Sequence, residues 1–255
     1  MGDTSGTKDT TGAAGAGGMY GADAAEIYEQ THRARGKDFA QEATDVLRLV
    51  GEDCGRRSLL DVACGTGNHL EFFAGHFEQV AGVDLSEAML ATARRRLPDG
   101  VPLGVADMRS FELDRTYQVI TCLFASVGYL DTTDELAAAL RCFGRHLAPG
   151  GVVAVEPWWF PATFLPGHVA ADVVEWDGRT VSRVSHTVRD GDFSRMEVHY
   201  LSAEPGAGVR HFTETHRARL FTREEYEEAF RAAGFTPRYH PGVQSGRGLF
   251  TATAA

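Results

Sequence analysis

A short glycine-containing segment has the residue types best suited to hold a ligand. It reads LLDVACGTGNHLEFF over residues 59–73, and its apolar run ends in Asp61 before the small residues around Gly65 and Gly67. Glycine lets a ligand approach the backbone closely, and the start of a helix offers N–H groups without intrahelical partners. The segment therefore predicts a loop between a strand and a helix that binds the polar part of a cofactor.

An acidic residue follows this segment at the distance expected for a ribose contact. A second apolar run ends in Asp84, about 20 residues after the first, where a carboxylate accepts hydrogen bonds from ribose hydroxyls. The third glycine of the dinucleotide fingerprint is replaced by Leu70, which is too large for the close helix–strand packing that this glycine permits. The pattern argues against a nicotinamide dehydrogenase and favours another nucleoside-containing cofactor.

The elements that must position these residues alternate along residues 19–156. Apolar runs of strand length alternate there with amphipathic segments of helix length, which is typical of a parallel sheet with helices on its faces. The expected strands are 58–63, 79–84, 101–105, 117–124 and 151–156, and the expected helices are 68–76, 86–96 and 133–146. We therefore expect an α/β core.

The pattern changes after residue 156. Runs with period-two character, such as 179–188 and 195–201, are separated by Asp-Gly and Pro-Gly pairs that are signals of hairpin turns. We expect residues 157–221 to form an antiparallel β insertion that carries substrate and dimer contacts. Residues 222–255 hold one helical pattern and two apolar runs, so we expect them to complete the core sheet.

Composition narrows the setting. The chain has 255 residues, 43% of them apolar, and a net charge of -10, which argues against a basic groove for a nucleic acid polymer. It has no apolar run long enough to span a membrane. Residues 1–18 contain few apolar side chains beyond Ala, so we expect a disordered tail there.

Cysteine and histidine positions give no metal site. The four cysteines match no CxxC pair, and the histidines are scattered, so we assign no metal. We expect buried thiols in a cytoplasmic protein. The cysteines are Cys54, Cys64, Cys122 and Cys142.

Three segments in register resemble the class I S-adenosylmethionine-dependent methyltransferases. They are D-x-A-C-G-T-G at 61–67, VAGVD at 80–84 and VADM at 105–108. The resemblance implies a Rossmann-like sheet that binds S-adenosylmethionine as methyl donor. It places Asp61, Ala63 and Gly65 at the methionine part, Asp84 and Leu85 at the ribose, Asp107 and Met108 at the adenine, and Leu123 at the sulfonium.

Further segments closely resemble the N,N-dimethyltransferases that act on dTDP-3-amino sugars in the desosamine and mycaminose branches of macrolide biosynthesis. The resemblance extends from about residue 20 to residue 250. It implies two methyl transfers to a sugar amine, and it leaves open whether the sugar is 4-deoxy or carries a 4-hydroxyl. The segments are RGKDF at 35–39, FASVGYL at 124–130, VEPWWFP at 155–161, DGRTVSRVSH at 177–186, RMEVHY at 195–200 and SGRGLF at 245–250.

A dTDP-sugar needs cations for its diphosphate and a flat surface for thymine. Arg247, with Ser245 and the neighbouring glycines, resembles a phosphate-binding loop, because arginine meets two oxygens at once. Trp158 and Trp159 follow a strand end, where one of them would stack on thymine or wall the sugar. Arg183 is a second candidate for the phosphates. Structural alternatives stay open: a tight turn for the Arg247 segment, core aromatic packing for the tryptophans, and a strand position among apolar neighbours for Arg183.

The family resemblance also assigns phenol side chains. Tyr20 would approach the transferring methyl group, and Tyr28, with Lys37, would meet the methionine carboxylate. Tyr129 stands where related enzymes carry His or Tyr beside the acceptor nitrogen, so we expect it to orient the amine rather than act as an obligatory base. Two alternatives stay open: a methyltransferase for another small natural-product acceptor, and a non-catalytic protein on this scaffold.

Overall fold

The computed structural model describes residue 27 and residues 29–33, 35–51 and 57–255. The predicted tail, Tyr20, Tyr28 and Cys54 lie outside the described residues. The helices are α1 (Phe39–Val50), α2 (Asn68–Ala74), α3 (Glu87–Arg96), α4 (Thr133–Arg145) and α5 (Arg223–Ala232), with a 3₁₀ turn at Ser126–Tyr129. The strands are β1 (Ser58–Val62), β2 (Gln79–Asp84), β3 (Leu103–Val105), β4 (Tyr117–Cys122), β5 (Leu147–Val155), β6 (His168–Trp176), β7 (Arg179–Asp190), β8 (Phe193–Glu204), β9 (Gly208–Arg219), β10 (Phe235–His240) and β11 (Leu249–Ala254).

The first sheet confirms the predicted α/β class. Its strand order is β10-β11-β5-β4-β1-β2-β3, and the strands from β1 to β5 pair in parallel. The order reverses between β1 and β4, so a crevice opens at the carboxyl ends of these two strands. β11 pairs antiparallel with β5 and with β10. The last strands of the chain thereby extend the sheet.

Helices cover both faces of this sheet, which explains why its strands have continuous apolar runs. Successive residues of β1 point to opposite faces: Leu59 packs in the core that includes α1 and α2, and Leu60 packs in the core that includes α4 and α5. Every residue of β1 is buried. Ser86 is the N-cap of α3, because its hydroxyl accepts a hydrogen bond from Met89 N at 3.3 Å.

The second sheet is antiparallel and has the order β6-β7-β8-β9. It matches the predicted period-two runs, but its strands are longer, since β7 and β8 each extend over 12 residues. The strand expected at 151–156 also begins earlier, at Leu147, because pairing with Tyr117 resumes on the far side of an irregularity in the ladder.

No helix in the described part of the chain is long and apolar enough to cross a membrane. Among these same residues, no three His, Cys, Asp or Glu side chains come together as a metal site.

Candidate active site

A crevice lies at the carboxyl ends of β1, β2 and β4, where the strand order reverses. Its wall combines carboxylates, small loop residues and apolar side chains. The lining residues are Phe39, Asp61, Ala63, Cys64, Gly65, Thr66, Asn68, His69, Asp84, Met89, Leu123, Phe124 and Ser126. Four of the predicted cofactor residues with an acidic or small side chain therefore meet in one place, together with Leu123.

The loop after β1 has a left-handed backbone at Ala63, Gly65 and Gly67, with φ values of 57°, 55° and 78°. Glycine fits this region without steric cost. A Cβ at Gly67 would also lie 3.2 Å from Ala93 Cβ, so this position serves a close approach to α3 as well as a turn. The sequence of small residues is thus explained by the path of the loop.

Gly82 allows the helix after the glycine loop to pack closely on the sheet although Leu70 replaces the third glycine of the dinucleotide fingerprint. A Cβ at Gly82 in β2 would lie 2.9 Å from Leu70 Cδ2 and 2.8 Å from Cys64 Sγ. The larger Leu70 is accommodated because the facing strand carries the glycine. Sequence reasoning missed this residue, although it stands in the VAGVD segment that ends in Asp84.

Asp61 is a buried carboxylate at the end of the central strand. It is 2% exposed, and one carboxylate oxygen accepts a hydrogen bond from the Thr121 hydroxyl at 2.7 Å. Burial raises the pKa of Asp61 to about 6, against the opposing effects of His69 and the Thr121 hydrogen bond. A cationic ligand in the crevice would stabilise the charged form of this side chain.

Asp84 fixes the glycine loop from the neighbouring strand. Its carboxylate accepts hydrogen bonds from Gly65 N and Ser86 N, both at 2.8 Å. Burial nonetheless raises the pKa of Asp84, and the two backbone hydrogen bonds act against that shift. Leu85, the next residue, is 64% exposed. It stands at the rim, where an apolar side chain is available to a ligand.

Asp107 and Met108 follow β3. The Asp107 carboxylate accepts hydrogen bonds from Arg109 N at 2.9 Å and from Arg109 Nη2 at 2.6 Å. These hydrogen bonds lower the pKa of Asp107. Arg109 also contacts Glu135, while Met108 is buried. The acid predicted at the adenine is therefore held in place by a local arginine.

Lys37 and Ser245 meet at a carboxylate that sequence reasoning missed. Glu42 of α1 lies 2.6 Å from Lys37 Nζ, accepts a hydrogen bond from the Ser245 hydroxyl at 2.8 Å, and lies 3.0 Å from His69 Nε2. Burial alone would raise its pKa, but His69 and Lys37 hold the pKa of Glu42 down at about 2. No local motif marks this residue, because two of its partners, His69 and Ser245, lie 27 and 203 residues away along the chain.

Arg247 forms an ion pair with Glu156, which follows β5. Nε of Arg247 donates to a Glu156 carboxylate oxygen at 2.8 Å, and the other oxygen accepts from Phe124 N at 2.6 Å. The side chain of Glu156 is fully buried, and that of Arg247 is 9% exposed. The predicted phosphate-binding arginine is thus held by an internal carboxylate.

Trp158 and Trp159 lie beside this ion pair. The Arg247 guanidinium carbon is 5.7 Å from the Trp158 ring centroid and 5.8 Å from that of Trp159. Trp158 Nε1 donates to the Ser194 hydroxyl at 2.8 Å, which ties it to the second sheet. Both tryptophans are half-buried. The hydrogen bond to Ser194 explains the position of Trp158 by packing alone, and its half-buried ring also lies beside Arg247.

Arg183 and Tyr129 each contact side chains of the second sheet. Arg183 of β7 is 3% exposed, donates to the Ser185 hydroxyl at 2.9 Å, and has its Nε buried without a partner. The Tyr129 hydroxyl lies 3.0 Å from His216 Nδ1 of β9. Sequence reasoning missed His216, because no motif connects the 3₁₀ turn after β4 with a strand of the second sheet.

The crevice fits S-adenosylmethionine on observations of its own. A buried carboxylate, Asp61, has a destabilised charge that an ammonium group would compensate, and Asn68 Oδ1 is buried without a hydrogen-bond partner. Asp84 and the glycine loop stand at the strand ends where the ribose of a nucleoside binds in such sheets. The residues present suit a ligand with a cationic amino acid at one end and a nucleoside at the other.

The substitution Asp61→Asn tests the conflict between stability and ligand binding at this site. The pKa of Asp61 is higher in the folded protein than in the unfolded chain. The free energy of unfolding therefore decreases as the pH rises from about 4 to about 6. We expect the amide to raise the free energy of unfolding of the ligand-free protein by roughly 2 kcal/mol at about pH 8, and by much less at about pH 4. Urea unfolding at the two pH values measures this change.

The same variant should bind S-adenosylmethionine at least about tenfold more weakly in calorimetry, because it lacks the charge that faces the cation. Asp99→Asn, in an exposed turn, is the matched control and should change neither stability nor binding. A gain in stability that does not depend on pH would contradict a buried, ionised Asp61.

Comparison with known proteins agrees with this geometry. A family model described as a methyltransferase domain matches residues 59–151. The chain is 55% identical to the dTDP-3-amino-3,4,6-trideoxy-alpha-D-glucopyranose N,N-dimethyltransferase of Streptomyces venezuelae, over 93% of this chain and 100% of the relative. It is 53% identical to the dTDP-3-amino-3,6-dideoxy-alpha-D-glucopyranose N,N-dimethyltransferase of Streptomyces fradiae, over 91% of each.

Solved structures give the same result. The crystal structure of Streptomyces venezuelae DesVI is 54% identical, has a TM-score of 0.87, and is matched over 92% of this chain and 100% of that one. S-adenosylmethionine-bound CalS10, an amino pentose methyltransferase from Micromonospora echinaspora, is 48% identical with a TM-score of 0.81, over 90% of this chain and 97% of that one. The chain belongs to the dTDP-amino-sugar N,N-dimethyltransferases, a family of class I S-adenosylmethionine-dependent methyltransferases.

Proposed function

We propose that this protein methylates the 3-amino group of a dTDP-3-amino-dideoxy or trideoxy hexose twice, giving a dimethylamino sugar for the biosynthesis of a macrolide-type antibiotic. The observation that carries this proposal is the identity of more than 50% to two such enzymes over both sheets of the structure. A relative from Saccharopolyspora spinosa, 48% identical, acts by its name on a dTDP-4-amino-tetradeoxy sugar. The position of the amine is therefore the point to be tested.

S-adenosylmethionine, when bound, supplies an electrophilic methyl group on a sulfonium. The chain's own residues bind and orient. Asp61, Ala63 and Gly65 would hold the methionine part, with Tyr28 and Lys37 at its carboxylate. Asp84 with Leu85 would hold the ribose, Asp107 with Met108 the adenine, and Leu123, which is buried at the end of β4, would cover the sulfonium side.

The acceptor would enter between the crevice and the second sheet. A sugar amine titrates roughly like an α-amino group, at about 7.7 to 8.0, so a neutral fraction exists near pH 7. The enzyme then contributes positioning and exclusion of water. Tyr129 and Tyr20 would orient the nitrogen through hydrogen bonds, and residues 157–221 would supply the walls around the sugar nucleotide.

Arg247, Ser245, Arg183 and the two tryptophans would bind the dTDP part. Arg247 directs Nε and Nη2 toward Glu156, and a guanidinium has a further nitrogen with which to meet a phosphate oxygen. The ion pair would thus hold the arginine rigid rather than remove it from binding. Trp158 and Trp159 flank the same group and offer flat surfaces for thymine.

The outer face of the second sheet supports a homodimer. Alternate positions there expose apolar side chains, while the opposite face is buried. The exposed residues are Val169, Val173, Val184, Leu201 and Val209, from 46% to 69% exposed. An identical face on a second copy would be self-complementary across a twofold axis, so we propose that two copies associate there.

Mass spectrometry of products tests the function. With S-adenosylmethionine and a dTDP-3-amino sugar, we expect a gain of two methyl groups, with a monomethyl intermediate at early times. Sugars with and without the 4-hydroxyl, and one 4-amino sugar, identify the preferred acceptor by kcat/KM. Methylation of the 4-amino sugar alone, or of none of them, would contradict the proposed acceptor.

Arg247→Ala is expected to raise the KM for the sugar nucleotide with a smaller effect on kcat. It should also destabilise the fold by about 3 to 5 kcal/mol, because it leaves the Glu156 carboxylate buried without its cation. The double variant Arg247→Ala, Glu156→Gln separates the two effects: stability in urea should largely recover, but the KM should not. Recovery of the KM in the double variant would show that Arg247 serves the fold alone.

Light scattering after size-exclusion chromatography tests the dimer. We expect the wild-type chain to have twice its mass of 27.6 kDa, and Val173→Asp to be a monomer because it places a charge in the apolar face. Ser110→Asp, on an exposed turn of the other sheet, is the control. A monomeric wild-type protein at all concentrations would contradict the proposed interface.

A further inference from the structure

The Tyr129 hydroxyl is the first member of a chain of three polar side chains that runs into the second sheet. His216 Nδ1 lies 3.0 Å from the hydroxyl, and His216 Nε2 lies 3.6 Å from a carboxylate oxygen of Glu214. His216 is 8% exposed, and the other Glu214 oxygen is buried without a hydrogen-bond partner. A buried imidazole therefore stands between a phenol at the proposed acceptor site and a carboxylate.

The carboxylate determines how the imidazole is protonated. Glu214 beside Nε2 favours a hydrogen on that nitrogen, which leaves the lone pair on Nδ1. Nδ1 then accepts the hydrogen bond of the Tyr129 hydroxyl. The hydrogen of the phenol points toward His216 as a result, and the lone pairs of its oxygen point away from the imidazole, where they are able to accept an N–H.

Other charged side chains stand on the strands around this imidazole. Across the ladder, His216 pairs with Met196 of β8, whose sulfur lies 3.8 Å from Nη2 of Arg183 in β7. Burial, together with the nearby charge of Glu214, raises the pKa of Tyr200 of β8. Arg217 follows His216 in the chain but is exposed and forms an ion pair with Asp131 at 2.5 Å. Glu214 is thus a carboxylate next to the imidazole, and Arg183 is a cation on the same face of the sheet.

We propose that His216 is a positioning residue that acts through Tyr129 as a proton acceptor, and that Glu214 stabilises its charged form. The proposal rests on the proposed function, since it requires Tyr129 beside the acceptor nitrogen. In each transfer the nitrogen lone pair forms the N–C bond, the electron pair of the broken C–S bond stays on sulfur, and the nitrogen holds one surplus proton. That proton passes to the Tyr129 oxygen while the phenol proton passes to His216 Nδ1.

The proton must leave for a dimethylamine to form. After the first transfer the product nitrogen is an ammonium and has no lone pair, so a second attack requires its deprotonation. The imidazolium formed on His216 faces the Glu214 carboxylate and returns its proton to solvent before the next round. A relay of this kind affects the second methyl transfer more than the first.

His216→Asn separates proton acceptance from orientation. The amide oxygen of asparagine stands near the position of Nδ1 and still accepts the Tyr129 hydrogen bond, but it takes up no proton. We expect the rate of the second transfer at about pH 7 to fall on the order of tenfold, with monomethyl product accumulating and the loss disappearing as the pH rises. The KM for the sugar should change little. His76→Asn, exposed after α2 and outside the proposed sugar-nucleotide site, is the matched control.

Glu214→Gln is a second variant in case His216→Asn does not fold, and it should shift the pH profile in the same direction. Tyr129→Phe should show a similar shift, and combining it with His216→Asn should add little. Calorimetry of sugar binding without S-adenosylmethionine, in two buffers of different ionisation enthalpy, gives a readout besides turnover: the wild type should release fewer protons to buffer than His216→Asn at about pH 7.

The outcomes distinguish a failure of the relay from a failure of the proposed function. Wild-type dimethylation together with identical pH profiles, product ratios and proton release in His216→Asn would overturn the relay and leave the proposed function intact. A wild-type protein that methylates none of the amino sugars would overturn the proposed function and, with it, the relay.

Discussion

Buried carboxylates lie in and beside the crevice, and the rest of the site depends on how they are compensated. Such a group is costly to bury unless donors from the protein replace its hydration. Glu42, Asp61 and Glu156 are each at most 5% exposed, and each stands on a different element at the same end of the sheet. Hydrogen bonds and ion pairs to these carboxylates connect α1, the end of the sheet and the C-terminal loop.

Most of the donors that meet this need come from far along the chain, and Lys37 comes from the turn before α1. Glu156 receives Arg247 and the backbone N–H of Phe124, while Glu42 receives Lys37 and Ser245. Phe124 in turn has Lys37 Nζ 3.9 Å from its ring centroid. These contacts fix the loop at 243–248 against the end of the sheet. A loop with two glycines, Gly246 and Gly248, is thereby held in one position.

Asp61 differs from the other two because, among the residues that the structure describes, the donor to its carboxylate is the Thr121 hydroxyl. The fold leaves its charge poorly compensated, which raises its pKa to about 6. Binding sites for cationic ligands often contain such a poorly compensated carboxylate. It lowers the stability of the ligand-free protein, and it increases the affinity for the ligand. A carboxylate of the second sheet is also incompletely hydrogen-bonded: one oxygen of Glu214, beside His216, is buried without a donor.

The sequence by itself determined the fold class, the glycine loop and the acids at the strand ends. These features depend on local spacing: apolar runs buried on both faces, small residues between strand and helix, and an acid such as Asp84 at a fixed distance along the chain. The sequence also indicated candidate cations, including Arg247 and Lys37. Only the tertiary structure decided that each is paired with a buried carboxylate, that Gly82 makes room for Leu70, and that His216 reaches Tyr129. Desolvation and ion pairing depend on which charges meet in space, and residues 87 positions apart carry no local pattern that announces such a meeting.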